Sequence, residues 1–359
     1  MWATMRGVTL WGGAIGTSLL LAVAEASCSA NVSPGHENRT AVVLRMHGRL
    51  KLDVAALYLD SLDPERYDFY VLYDDTDVGR LDPRVCEAFA SFAKQRSRVR
   101  AKLVSFGEDH LRGTYPGVDF EMTRGFRNTP LGPRRMNIAW GAYHVMLTAW
   151  RRQVAGGAPT GFYPYVWAVE DDVRLSGDDY SAFFDSLAAT DTSSFLFTDK
   201  ADNTTAWSRY WTWPVADSEK HKVFTQITRY SADLLDHLDG MLTLGLNGWD
   251  EFFTATVCGA DRRCTMRGLG DHLATPVRKF FKWDGEVTRA DWESRRRAQP
   301  GKWFHPLKWL GDCRSMQALF AGVGPLKVKF PRGTTPRDCE WPPGALDDGA
   351  SRAPVRKEL

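Results

Sequence analysis

The sequence is poor in several features that would assign it quickly. Six of its 359 residues are cysteine, and no closely spaced cysteine pair recurs with histidines, so a structural zinc pattern is absent. Neither a Gly-x-x-x-x-Gly-Lys-Ser/Thr loop nor a Gly-x-Gly-x-x-Gly fingerprint occurs, which argues against a P-loop kinase and a dinucleotide-dependent dehydrogenase. Excess charge is also missing, since 46 Lys and Arg against 44 Asp and Glu leave +2. Nucleic acid as the main partner would need a concentrated basic face. Only Arg295-Arg296-Arg297 is dense enough to notice, and it reads as a solvated helix face or as a contact for an anionic substrate. Long apolar runs are scarce. The one run, residues 8–24, follows a positively charged start and makes 1–30 either a removable signal peptide or an uncleaved type II anchor.

What is present has the balance of a globular protein, with 43% hydrophobic and 25% charged residues. The N-terminal segment places the remainder in the lumen of the secretory pathway, Golgi or ER, with any membrane contact made through that segment alone. Sequons at Asn38 and Asn203 agree with this, as does the use of cysteine. Cys258 and Cys264 can close a short loop, Cys313 and Cys339 can tie down the C-terminal part, and Cys86 is expected to be a buried free thiol. The last four residues, Arg356-Lys357-Glu358-Leu359, approximate an ER-retrieval signal with Lys357 where an acid belongs.

Apolar periodicity predicts strands at 41–46, 67–73, 99–106, 165–169 and 194–198, and helices at 52–62, 83–94, 134–152 and about 179–189. Strand and helix alternate, which predicts an α/β fold with a mixed, mainly parallel sheet flanked by helices. Residues 108–133 read as a long irregular loop, and the chain after 206 as irregular and aromatic, with Trp207, Tyr210, Trp211 and Trp213. With no internal repeat and no second core, 31–40 is a spacer, 41–343 one domain and 344–359 a polar tail. The first half of that domain is expected to bind nucleotide and the second to build the acceptor side.

The strand at 165–169 is apolar without alternation, as a strand covered on both faces should be, and it runs into Glu170-Asp171-Asp172. Ligands of open α/β sheets collect beyond the carboxyl ends of strands. Three adjacent carboxylates repel one another unless something positive neutralises them. A hard divalent cation bridging carboxylate and phosphate would do so; a solvated acidic turn is the plainer alternative. If strand geometry persists, Glu170 and Asp172 point one way and Asp171 the other.

With that strand and triplet, Val166-Trp167-Ala168-Val169-Glu170-Asp171-Asp172-Val173, the sequence resembles the GT-A glycosyltransferases. Its Glu-Asp-Asp triplet is similar to the metal motif of the N-acetylglucosaminyltransferases acting on mannose. The resemblance covers roughly residues 41–200. It implies a GT-A, Rossmann-like domain that binds Mn²⁺ or Mg²⁺ and moves a sugar from a nucleotide-sugar donor, a UDP-sugar, to a glycan or glycoprotein hydroxyl with inversion. It makes Asp172 the direct metal ligand and places Glu170 and Asp171 near the ribose and sugar. Asp74 and Asp75, ending the second strand, correspond to the acid that binds base or ribose, though a plain turn explains them equally. Arg134 and Arg135, at the start of the long helix, correspond to residues near the diphosphate, or are surface arginines. Asp250 and Glu251 are the candidates for the catalytic base, with helix capping by Asp250 as the alternative. His305, in a late aromatic segment, would complete the metal shell and tilt it toward Mn²⁺, or else is structural. A catalytically silent carbohydrate-binding protein of this fold and a lumenal metal-dependent hydrolase are the rival functions.

Overall fold

A computed structural model of the chain describes residues 38–47, 50–76, 81, 83–121, 126–129, 132–135, 138–155, 163–177, 179–200, 215, 216, 219–272, 281, 287 and 289–307. The expected N-terminal segment, the aromatic stretch at 207–213, the Asn203 sequon, Cys313, Cys339 and the C-terminal tail lie outside them. Among the described residues no helix is long and apolar enough to cross a membrane.

The strands β1 (Thr40–His47), β2 (Tyr67–Asp74) and β3 (Arg100–Phe106) alternate with helices α1 (Leu52–Ser61) and α2 (Pro83–Arg96), as the periodicity predicts. Residues 108–133 depart from the expected loop. They contain helix α3 (Glu108–Thr114) and strand β4 (Phe126–Thr129), which pairs antiparallel with β5 (Gly132–Arg135), a strand that begins in this segment and ends two residues beyond it. The expected helix from 134 therefore starts later, as α4 (Ile138–Gly141) and α5 (Tyr143–Ala155). Arg134 and Arg135 favour helix locally, but pairing with Arg127 and Phe126 gives their backbone sheet partners instead.

The chain continues through β6 (Tyr165–Glu170), β7 (Arg174–Ser176), α6 (Tyr180–Ala188), β8 (Phe195–Phe197) and β9 (Asp199–Lys200). Asp179 caps α6, its carboxylate accepting from the Ala182 N–H at 2.7 Å. The part expected to be irregular then supplies β10 (Val223–Phe224), β11 (Ile227–Ser231), α7 (Ala232–Thr243), α8 (Asp250–Ala260), β12 (Met266–Gly268), α9 (Arg289–Ala298) and β13 (Lys302–Phe304).

Seven strands form one sheet in the order β12-β8-β11-β6-β1-β2-β3. Every pairing is parallel except the two made by β11, so the sheet is mixed and mainly parallel. Because side chains alternate along each strand, β1 and β6 divide into two cores. Ala41, Val43, Val166 and Ala168 face α5, α7 and α8. Val42, Leu44, Trp167 and Val169 face α1, α2 and α6. Both faces of β6 are thus covered by helices, which explains its unbroken apolar sequence.

Cys258 and Cys264 are bonded, with Cα atoms 5.1 Å apart, as their spacing allows. Cys86 is not the buried free thiol expected: it is half-buried and disulfide-bonded. Two cysteines whose Cβ atoms come within about 4 Å can bond whatever their spacing in sequence.

Candidate metal and catalytic site

The site grows from the carboxyl ends of two adjacent strands. β1 and β6 are parallel neighbours, with Arg45 in register with Glu170. The chain leaves β1 for β2 on one side, while β6 is followed in the sheet by β11 on the other. This is the topological switch point at which open sheets leave a crevice. At Glu170 the strand ends in a turn closed by the Val173 N–H donating to the Glu170 carbonyl at 3.2 Å. The buried guanidinium of Arg174 holds that turn, donating to the Val173 carbonyl at 2.6 Å and the Asp171 carbonyl at 2.7 Å. The expected division follows. Asp171 pairs with Lys51, at the start of α1, with Nζ 2.9 Å from Oδ1, while Glu170 and Asp172 turn to the other side.

A second ladder brings in the late histidine. β7, directly after the triplet, pairs antiparallel with β13, matching Arg174 to Phe304 and Leu175 to Trp303. Beyond that pair the Leu307 N–H donates to the Asp172 carbonyl at 2.7 Å. Trp303, 1% exposed, fixes the ladder by packing on Phe183 with ring centroids 5.0 Å apart and on Tyr180 at 5.7 Å. His305 is delivered to the acids as a consequence. Its Nε2 lies 3.4 Å from Glu170 Oε2 and 3.6 Å from Asp172 Oδ1. Trp303→Ala should cost about 3–5 kcal/mol in urea unfolding and weaken any cation binding that depends on His305; an unchanged affinity would disconnect the ladder from the site.

One ligand atom from each of Glu170, Asp172 and His305 lies within 4.8 Å of the others. Metal–ligand bonds of about 2.1 Å separate neighbouring ligands by about 3 Å and opposite ones by about 4 Å. The observed spacings therefore need little closure to surround one ion. The donor chemistry fits as well: Asp172 Oδ1 is buried and accepts no hydrogen bond, although a buried carboxylate oxygen is costly to leave so. Burial works to raise the Glu170 carboxyl, but Arg45 and then His305 outweigh it and hold it below its usual range, ready as an anionic ligand. Two carboxylate oxygens and one imidazole form a donor set for a divalent cation.

Beside this cluster lies a buried charge network. Arg45 donates to Glu170 Oε1, to the Thr225 carbonyl at 2.8 Å and to Asp250 Oδ2 at 3.3 Å. Its guanidinium sits 4.7 Å over the Tyr143 ring. Asp250, first residue of α8, is 1% exposed. It accepts from Thr225 Oγ1 at 2.9 Å and from the His144 N–H at 3.3 Å, and lies 3.1 Å from His144 Nδ1. His144 Nε2 in turn lies 2.5 Å from Asn247 Oδ1. Burial works to raise the Asp250 carboxyl, but the His144 hydrogen bond and Arg45 outweigh it and lower it. Both oxygens are occupied and the group is held as an anion, so Asp250 is built to organise the helix start. Removing one partner of a buried pair strands the other. Asp250→Ala should therefore destabilise the protein by about 3–5 kcal/mol in urea unfolding; a loss under 1 kcal/mol would show that the network carries little weight.

Glu251, the next residue, is in a different position. It is partly exposed, and burial pushes its carboxyl up to about 7; Lys222 opposes this, while Asp250 and Glu170 add to it. A carboxylate near neutrality is suited to accept a proton.

The remaining expected residues lie on other elements, β2 with the turn after it and β5. Asp74 accepts from the Thr76 N–H at 3.0 Å within the turn after β2, and Asp75 accepts from Ser105 Oγ of β3; both are buried. Arg134 and Arg135 lie in β5 rather than at a helix N-terminus, so no helix end adds donors to them. Arg45, Lys51, His144, Thr225 and Asn247 were not singled out in the sequence. For Arg45 a signal existed: a charge inside the apolar run at 41–46 must be paired if the strand is buried.

No protein-family model matches the chain, and no curated protein sequence matches it. Among solved structures, it is similar to mouse xyloside xylosyltransferase 1 in its apo form, at 7% identity over 76% of this chain and 99% of that one, TM-score 0.39. It is also similar to the 4-diphosphocytidyl-2C-methyl-D-erythritol synthase of Anaerococcus prevotii DSM 20548, at 9% identity over 65% and 86%, TM-score 0.35. A third is the mannosyltransferase PcManGT of Pyrobaculum calidifontis, solved with GDP-Man and Mn²⁺, at 16% identity over 66% and 56%, TM-score 0.35. Likenesses this distant assign neither an activity nor a ligand to this chain.

Proposed function

We propose that the chain is a divalent-cation-dependent glycosyltransferase of the GT-A type, taking a sugar from a nucleotide-sugar donor, a UDP-sugar, to a hydroxyl of a glycan or glycoprotein with inversion. The observation that carries this is the gathering of Glu170, Asp172 and His305 around one point at the switch-point end of β6. Glu170, Asp172 and His305 would hold Mn²⁺ or Mg²⁺, whose charge would offset that gained by the leaving diphosphate. The rest falls to the chain. The acceptor oxygen forms a bond to the anomeric carbon as the bond from that carbon to the diphosphate breaks. Glu251 takes the acceptor's proton, a role left open between it and Asp250 by the sequence and favoured here by the saturated contacts of Asp250. Lys51 holds Asp171 beside the crevice, where donor atoms can compete for the pair. The disulfide between Cys258 and Cys264 supports a lumenal setting.

Incubation with a panel of nucleotide sugars and Mn²⁺ tests the reading. Nucleotide release that depends on both Mn²⁺ and a glycan acceptor supports it. Release to water alone supports the hydrolase, and binding without turnover supports the silent lectin.

A further inference from the structure

We infer that Arg45 is a positioning residue that couples the cation cluster to the base-carrying helix, presenting Glu170 to the ion and docking the start of α8 through one guanidinium. The inference rests on the cation site proposed above. Glu170 has two oxygens with separate assignments: Oε1 accepts from Arg45 Nη2, and Oε2 faces His305 Nε2 at 3.4 Å. A carboxylate tied by one oxygen turns the other, freer oxygen to the ion, so Arg45 sets the plane of the ligand and favours one point of attachment. Outer contacts of this kind commonly govern metal affinity.

The second prong of the same group reaches Asp250 Oδ2 at 3.3 Å, one residue before Glu251. The cross-strand register of Arg45 with Glu170 and the stacking of its guanidinium on Tyr143 leave the fork little freedom. A lysine would keep the charge but not the fork. Simple electrostatics predicts the opposite of positioning, because a cation in direct contact with a metal ligand should weaken metal binding, and its removal should strengthen it.

The test is Mn²⁺ binding, read by paramagnetic resonance and by calorimetry on the full chain without donor, for the wild type, Arg45→Lys and Arg45→Gln, with folding checked by circular dichroism. Positioning predicts binding about 10–100-fold weaker in both variants, although Lys keeps the charge and Gln removes it. Wild-type affinity in Arg45→Lys, or tighter binding in Arg45→Gln, would overturn the inference while leaving the cation site intact. Should one variant fail to fold, the other still decides. A wild type that binds no Mn²⁺ would overturn the cation site itself and this inference with it, and the wild-type titration alone reveals that outcome.

Discussion

Asp172→Asn is expected to weaken Mn²⁺ binding by about 100-fold or more and to lower sugar transfer by about 10²–10³-fold, without harming the metal-free fold. The direction on stability is the informative part. Asp172 brings a second carboxylate beside Glu170, and its Oδ1 is buried without a hydrogen bond. With no metal ion present the two carboxylates repel each other, and Arg45 and His305 offset only part of that repulsion. The amide should therefore leave the melting temperature in EDTA unchanged or raise it. Saturating Mn²⁺ should stabilise the wild type by about 2.7 kcal/mol at a hundred times its dissociation constant, and the variant far less. Calorimetric melting with EDTA and with Mn²⁺ reads both. A variant destabilised in EDTA would mean that Asp172 holds the fold together rather than an ion.

Glu251→Gln should lower kcat by about 10²–10⁴-fold while leaving Mn²⁺ binding in place. In the wild type kcat/KM should rise with pH through a midpoint at or below about 7, since a nearby cation draws the carboxyl down from its metal-free position; in the variant that limb should vanish. Stability gives an independent check with a definite sign. The carboxyl sits at about 7 in the folded protein against an ordinary value of 4.5. The neutral acid is thus the favoured folded form. Its contribution is complete below about 4.5 and is lost as pH rises through about 7. In metal-free protein at pH 8 the charged side chain should cost about 1–3 kcal/mol, the lower end reflecting its partial exposure. Glu251→Gln should accordingly be more stable than the wild type at pH 8 and equal to it at pH 4, measured by urea unfolding. Equal stability at both pH values would place Glu251 in ordinary solvent and remove the reason to regard it as the base.

The parts of this site legible in the sequence are those written locally. β6 announces itself because a strand covered on both faces must be apolar throughout, and the triplet stands out as the place where that run stops. Cys258 and Cys264 lie six residues apart, and Asp179 caps the helix next to it. What could not be read depends on distant pairing. Strands β7 and β13 have three residues each and exist because each satisfies the other, with Ser176 and Lys302 separated by 126 positions. His305 was therefore placed by its resemblance to a family pattern, while the ladder that delivers it left no periodic trace. His144 sits in a helix whose apolar spacing looks like plain core, and its partner Asp250 lies 106 residues away. Arg134 and Arg135 mislead for the same reason: their local preference is helical, and a neighbouring strand overrides it. Arg45 was within reach, because a lone charge in a buried strand demands a partner, yet nothing near it in sequence identifies Glu170 and Asp250 as that partner.

The most direct test of the account is a comparison of nucleotide release and glycoside formation by wild type and Asp172→Asn across nucleotide sugars, with Mn²⁺ and with EDTA. The account predicts a glycosylated acceptor of inverted anomeric configuration from the wild type with Mn²⁺, and loss of about 99% of it both in EDTA and in Asp172→Asn. Release and transfer that continue unchanged in Asp172→Asn would contradict it.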